Sequence, residues 1–235
     1  GQGMENRYIN GVKFYAPRSA KELIDYAFSK TGILVAVNAE KLSNANVNTR
    51  RIINNNIGYP DGVGAVFALK TKGIGYSCKI AGCELWLEII DRYWNSKSFY
   101  LVGGEDNIIN MTIKKLTLDY PDINIIGHRN GFLTSVEDQD NLIKDICKSR
   151  PDVVFVAMGS PKQELLMEEM LKSHKAVYQG LGGSFDIHVG KLRRAPSWWI
   201  KNNLEWFFRM LQEPKRFKRQ LPLIKFLMSV WRGRY

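Results

Sequence analysis

Cysteine and histidine are scarce in this chain, three of each among 235 residues. Cys78, Cys83 and Cys147 are too few and too irregularly spaced for a disulfide framework. With no secretory segment recognisable after Met4, the expected compartment is the reducing cytosol and the three are expected to be ordinary thiols. Gly1-Gln2-Gly3, ahead of Met4, reads as vector-derived and is set aside. His128, His174 and His188 show no metal-ligand spacing, so metal-independent chemistry is expected, with no cofactor. Long apolar runs are missing too. The longest near the C-terminus, "LPLIKFLMSVW", is about half a spanning helix and carries Lys225 in its middle, so no segment is expected to cross a membrane. Nucleotide signatures are equally absent. No GxxxxGK[ST] occurs, which argues against a P-loop enzyme. No GxGxxG follows the first strand, and "GLGGSFD" comes too late for the usual dinucleotide arrangement.

Acidic residues are nearly missing from one region, and this is where the charge lies. The net charge is +11, yet residues 191–235 hold twelve Lys/Arg against Glu205 and Glu213, a net of +10 that leaves +1 for the first 190 residues. A near-neutral globular part at 4–190 followed by a basic appendage at 191–235 is the expected organisation. The appendage is expected to meet polyanions: phosphates, anionic lipid or nucleic acid.

Along the neutral part, apolar β-rich runs ending in Gly, Asn or Ser alternate with helix-length segments. "GILVAVN" (32–38), "SFYLVGG" (98–104), "INIIGHRNG" (123–131), "DVVFVAMG" (152–159) and "AVYQGLGG" (176–183) read as buried strands. The alternation predicts an α/β fold, a Rossmann-like, mainly parallel sheet with helices on both faces and right-handed crossovers. Ligands of such sheets collect at the carboxyl ends of strands. Asn38, Gly103, Gly104, Ser160, Gly182 and Gly183 are therefore the expected rim of a site.

Four stretches carry the candidate chemistry. In "GSPKQE" (159–164), Pro161 suits a helix start and Ser160 is placed to cap it; the turn is either a plain strand-to-helix junction or an anion site. Lys162 and Gln163 favour the second reading, since an ammonium and an amide in a first helical turn can meet a nucleotide. In "YPDGVGAV" (59–66), Pro60 and Gly62 predict a tight turn around Asp61, and Asp186 in "GGSFDIHVG" is likewise flanked by glycine. Either aspartate is a turn former or a group held close to a ligand. "DQD" (138–140) spells a metal-site motif but falls in the opening turns of a predicted helix, where acids favour the helix dipole.

In the appendage, Phe217, Leu221, Ile224, Met228 and Trp231 recur at spacings of 4, 3, 4 and 3, one face of a helix, with Arg216, Lys218, Arg219 and Lys225 largely off it. Pro214 suits its start, and Pro222 is placed to kink or divide it. A basic amphipathic helix matches a membrane-surface segment, while a stripe packed on the protein's own core is the plainer alternative. The regular stripe argues against a tail that binds nucleic acid only.

Ordered motifs over nearly the whole chain, "VAVNAEKL" (35–42), "YPDGVGAV", "IAGCELW" (80–86), "LVGG", "PDVVFVAMGSPKQE", "GLGGSFDIHVGKLRRAPSWW" and "LEWFFRMLQEPKRFKRQ" (204–220), resemble the WecG/TagA/CpsF family of bacterial glycosyltransferases. The resemblance implies metal-independent transfer of a sugar from a UDP donor to a polyprenyl diphosphate-linked acceptor at the cytoplasmic membrane. "VAVNAEK" looks closest to the branch that transfers N-acetylmannosaminuronic acid. By resemblance Asp61 is the general base and Asn38 stands beside it. Gln163 and Asp186 belong to the nucleotide-sugar pocket, and Arg209, Arg216 and Arg219 close over the diphosphate. Two positions depart from relatives: Ala36-Val37-Asn38 replaces Thr-Pro-Asn, and Lys79 replaces an arginine, keeping charge without the bidentate fork. For an acidic sugar, Lys79, Arg129, Arg193 and Arg194 are the candidate cations. A nucleic-acid-binding module and a tail that makes only a homo-oligomer are the alternatives.

Overall fold

The computed structural model of the protein describes residues 3–191, 193–212, 214 and 217–235, with backbone only for 217–223. A hairpin of β1 (Asn6–Ile9) and β2 (Val12–Tyr15) comes first. The alternation follows as α1 (Ala20–Lys30), β3 (Gly32–Val37), α2 (Ala39–Ser43), α3 (Val47–Asn54), β4 (Ile57–Pro60), α4 (Val63–Thr71), α5 (Gly82–Tyr93), β5 (Ser98–Gly103), α6 (Asp106–Asp119), β6 (Asn124–Arg129), α7 (Val136–Ser149), β7 (Val153–Ala157), α8 (Lys162–Ser173), β8 (Val177–Gly180) and α9 (Ser184–His188). Three helices close the chain, α10 (Ser197–Lys201), α11 (Glu205–Gln212) and α12 (Phe217–Trp231).

Strands β3 to β8 form one six-stranded sheet in the order β4-β3-β8-β7-β5-β6, every pair parallel. The expected α/β architecture and all five expected strands are present. Side chains alternate across the sheet. Ile33, Val35, Val37, Val154 and Val156 face one core with residues of α3, α7 and α8, while Leu34, Leu101, Val153 and Phe155 face the other with α1, α5 and α6. Burial on both faces is why β3, β5, β7 and β8 read as continuous apolar runs, whereas β6, expected to be buried, is an edge strand and has no fully buried residue.

Helix starts follow their caps. The Ser19 hydroxyl accepts from Glu22 N at 3.1 Å to open α1. Ser135 and Asp138 form a capping box on α7, so the "DQD" run serves its own helix, as the dipole argument expects.

Two local expectations are corrected, and one element was not anticipated. Residues 57–60 form β4, the other edge strand, so Asp61 ends a strand instead of sitting at the centre of a turn. Pro60 is tolerated there because an edge strand needs few amide donors. The β1–β2 hairpin turns on Asn10-Gly11, both at positive φ, an Asn-Gly signal visible in the sequence. Ser160 does not cap α8: Pro161 is the capping residue, no side chain bonds the first-turn amides, and the Ser160 hydroxyl donates to Glu164 Oε1 instead.

The last helix docks, though not by its expected stripe. Helix α12 runs unbroken through Pro222 and packs on α2 and α4. Phe226 and Val230 are buried in the core, whereas Ile224, Met228 and Trp231 remain 51%, 48% and 74% exposed. Two apolar faces share this helix, and the sheet-covering layer takes the one that the 4-3-4-3 spacing does not mark. The side chains of Phe217 and Leu221 lie outside the described residues.

Candidate active site

The carboxyl ends of β4, β3, β8 and β7, consecutive in the sheet, open into one cleft of about 930 Å³. That size suits a nucleotide-sized ligand. Asn38 enters after β3, Asp61 after β4, Ser160, Gln163 and Glu164 after β7, and Gly182 and Gly183 after β8. Lys79, Gly82, Cys83 and Glu84 at the start of α5 form another wall, with Arg194, Glu205 and Arg209 facing it from the appendage and Ile224 and Leu227 of α12 closing one side.

Asp61 is fixed by its backbone, whose amide donates to Val37 O at 3.0 Å. Its carboxylate takes the amide of Gly82 in the first turn of α5. Desolvation in the packed base of the cleft raises its pKa above the ordinary 3.8, against the opposing charge of Arg209 and the Gly82 amide. Glycine at position 82 leaves room for Tyr59, whose Oη would lie 3.0 Å from a Cβ there, while Asp61 Oδ2 at 3.6 Å would be in ordinary contact. Beneath it, buried Gln179 donates through Nε2 to Gly82 O at 3.2 Å and Tyr59 Oη at 3.4 Å, which ties the start of α5 to β8. Nearby Cys83 is held as a thiol, burial pushing it up to about 11, so it offers no nucleophile at neutral pH.

Opposite lies a buried ion pair. Lys41 Nζ donates to Glu164 Oε1 at 2.9 Å and to Ala36 O at 2.8 Å, and both side chains are largely shielded from solvent. Asn38 caps α2, its Oδ1 accepting from Lys41 N at 2.8 Å, which leaves its amide group for the cleft. Gln163 is buried, and its Oε1 accepts from Gly182 N at 3.0 Å and Met158 N at 3.4 Å. It staples the β7–α8 loop to the β8–α9 loop, a structural use of the amide that was expected to read a nucleotide.

The cations of the cleft differ in freedom. Lys79 Nζ donates to Ile200 O at 2.8 Å and Asn203 Oδ1 at 2.7 Å, so it anchors the end of α10. Arg194 is ion-paired with Glu84 and with Glu205 at 3.0 Å; burial opposes its charge, but the two carboxylates outweigh this and raise its pKa. Arg209 makes one long contact, Nη2 to Glu205 Oε1 at 3.5 Å, and is half-exposed. Of the four lining cations among the described residues, Lys41, Lys79, Arg194 and Arg209, the last has the least prior commitment.

The other expected site residues do not line this cleft. Gly103 and Gly104 end β5, which lies beyond β7 in the sheet. Gly103 answers to packing: a Cβ there would meet Ala157 O at 2.2 Å. Asp186 lies in α9 and Arg193 is exposed, both off the lining, and Arg129 bonds within its own loop to Asn130 and Phe132 O. Arg216 and the side chain of Arg219 lie outside the described residues. Sequence reasoning missed Lys41, Glu164, Glu205 and Cys83. Lys41 and Glu164 sit inside the quoted "VAVNAEK" and "GSPKQE" motifs, just after strand ends, and that position was the available signal.

A parallel sheet with a cleft across the carboxyl ends of four adjacent strands, lined by apolar surface with a few charged side chains, defines a Rossmann-like α/β protein with an enzyme-type ligand site. Residues 8–235 match the glycosyl transferase WecG/TagA/CpsF family, and the chain belongs to it. It is therefore a glycosyltransferase of cell-surface polysaccharide synthesis, of a kind that works between a sugar donor and a lipid-linked acceptor. Membership favours the enzyme over the nucleic-acid-binding alternative.

Proposed function

We propose that the protein moves a sugar from a UDP donor to a polyprenyl diphosphate-linked acceptor by inverting displacement, with Asp61 as general base. The observation that carries this is the carboxylate of Asp61 at the base of the cleft, its pKa raised, bonded to the first turn of α5 and within the field of Arg209. A hydroxyl attacks an anomeric carbon poorly unless a positioned base takes its proton as the bond forms, a contribution of typically ~10²–10⁴ in rate. The desolvation that raises its pKa makes Asp61 a stronger proton acceptor than an ordinary aspartate. The departing diphosphate needs positive charge, and Arg209, joined by Arg216 and Arg219, supplies it in place of a metal ion. Asn38 offers its amide beside the base, and Ser160, Gly182 and Gly183 line the donor pocket. By the "VAVNAEK" resemblance the sugar is N-acetylmannosaminuronic acid or a related hexosamine.

The acceptor is met at the cytoplasmic face of the membrane, to which the protein binds peripherally. Among the described residues no helix is long and apolar enough to cross a membrane. Ile224, Met228 and Trp231 stand exposed on α12 beside exposed Lys225. Such a face inserts at an interface, and each basic residue near an anionic surface adds ~1 kcal/mol. The test is UDP release across a panel of UDP-sugars with a short-chain polyprenyl diphosphate N-acetylglucosamine acceptor, with and without EDTA. Turnover that persists in EDTA supports the reading; turnover that stops and returns with magnesium overturns the role given to the arginines.

A further inference from the structure

One buried charged group of the cleft is left incomplete. Glu164, 6% exposed, spends Oε1 twice, accepting from Lys41 Nζ at 2.9 Å and from the Ser160 hydroxyl. Its Oε2 is buried and, among the described residues, has no hydrogen-bond partner. An unpartnered buried oxygen of a charged group costs more than that of a neutral one, and native proteins leave few of them. Three more buried side-chain atoms share this condition, Trp86 Nε1, Gln179 Oε1 and His188 Nε2. None of their residues lines the cleft; Glu164 does.

The surroundings of Glu164 are built to hold it. Lys41 is itself fixed by Ala36 O, at the end of β3, and Ser160 sits in the β7–α8 turn. Together they clamp one carboxylate oxygen from two strand ends and leave the other uncommitted. The terminal torsion of a glutamate is broad, so turning that oxygen toward a ligand asks little of the backbone. An acceptor-only group wants a donor. A nucleotide-sugar carries donors at both ends, ribose hydroxyls and uracil N3–H on the nucleoside and hydroxyls and an acetamido N–H on the sugar, while the diphosphate has none; the sugar is the end whose reacting carbon has to reach the cleft that Glu164 shares with Asp61.

We propose that Glu164 is a specificity-determining residue that accepts a hydrogen bond from a hydroxyl or amide N–H of the glycosyl group being transferred, with Lys41 as its positioning partner. This rests on the donor assignment made above. Glu164 is distinct from the base: Asp61 acts on the incoming acceptor, and Glu164 reads the sugar that leaves UDP.

The experiment compares UDP with UDP-sugars on the same protein. Glu164→Gln keeps the shape of the side chain and an oxygen for Lys41 while replacing the open acceptor with a donor. By calorimetry, UDP alone is expected to bind this variant as it binds the unchanged protein. The cognate UDP-sugar, found with the release panel, is expected to bind or turn over roughly 10- to 100-fold worse. Monodeoxy or des-acetyl donors lacking the matching group are expected to lose little further in the variant. Unchanged UDP binding also shows that the variant is folded. Lys41→Gln is expected to weaken the same sugar discrimination and spare UDP. The proposal is overturned if Glu164→Gln handles the UDP-sugar normally, or if it loses UDP and every UDP-sugar in equal measure. A parent protein that binds no UDP removes the donor assignment and this inference with it, a result separate from a parent that binds UDP beside an indifferent variant.

Discussion

Replacing Asp61 by Asn isolates the base from the rest of the cleft. The substitution keeps volume and keeps an oxygen able to accept from the Gly82 amide, so the start of α5 stays in place. What it removes is proton acceptance. Transfer is expected to fall by ~10²–10⁴, the usual contribution of a positioned general base. UDP affinity is expected to hold, because the nucleotide side of the cleft is untouched. Stability has a definite sign. Desolvation raises the folded-state pKa of Asp61 above 3.8, so the group's contribution favours folding at low pH and is lost as pH rises through a window above 3.8. Above that window the charged carboxylate is a cost to the fold, and Asp61→Asn is expected to melt at the same or a higher temperature than the parent. The same shift displaces the acid limb of kcat/KM upward relative to an ordinary aspartate, with activity lost as Asp61 is protonated. The assays are UDP release over a pH series, calorimetry with UDP, and thermal melts. A variant that turns over within a few-fold of the parent, or one that melts markedly lower at neutral pH, refutes the reasoning.

Arg209→Ala removes the least committed cation of the cleft and is expected to lower transfer by roughly 10²-fold or more, while Arg209→Lys recovers part of it; steady-state kinetics decide, and an unaffected rate sinks the assignment. On α12, Ile224, Met228 and Trp231 changed together to Glu are expected to abolish binding to anionic vesicles and leave the melting temperature nearly unchanged, because all three are exposed. Phe226→Ala on the buried face of the same helix is expected to cost about 3–5 kcal/mol of stability by chemical denaturation. Gln163→Ala strands the Gly182 amide and is expected to cost ~1–3 kcal/mol, with weaker UDP binding as the two loops part.

Much of the fold was legible in residue order. Buried parallel strands such as Gly32–Val37 and Val153–Ala157 announce themselves as apolar runs, because burial on both faces leaves no polar position in them. Strand β4 escaped because it is short, sits at the edge and ends in a proline, all of which imitate a turn. The hairpin before α1 was legible from Asn10-Gly11 and went unread. At the site, the strand-end rule found Asn38, Ser160 and Gly182 but extended wrongly to Gly103 and Gly104. Sequence order says that β5 ends in glycine; only the order of strands in the sheet says that β7 stands between that end and the cleft.

The sequence alone determined the α/β alternation, the concentration of positive charge after residue 190, and a helix with apolar faces near the C-terminus, since each depends on residues close together in the chain. Tertiary structure decided which charges remain available. Lys79 is held by Ile200 and Asn203, Arg194 by Glu84 and Glu205, and Gln163 by Gly182, partners 11 to 124 residues away that no local pattern reveals. It also decided that α12 buries Phe226 and Val230 and presents Trp231, because the surface of α2 and α4 accepts one of two apolar faces. Side-chain chemistry is written locally, but whether a charge is already neutralised depends on what the fold brings to it.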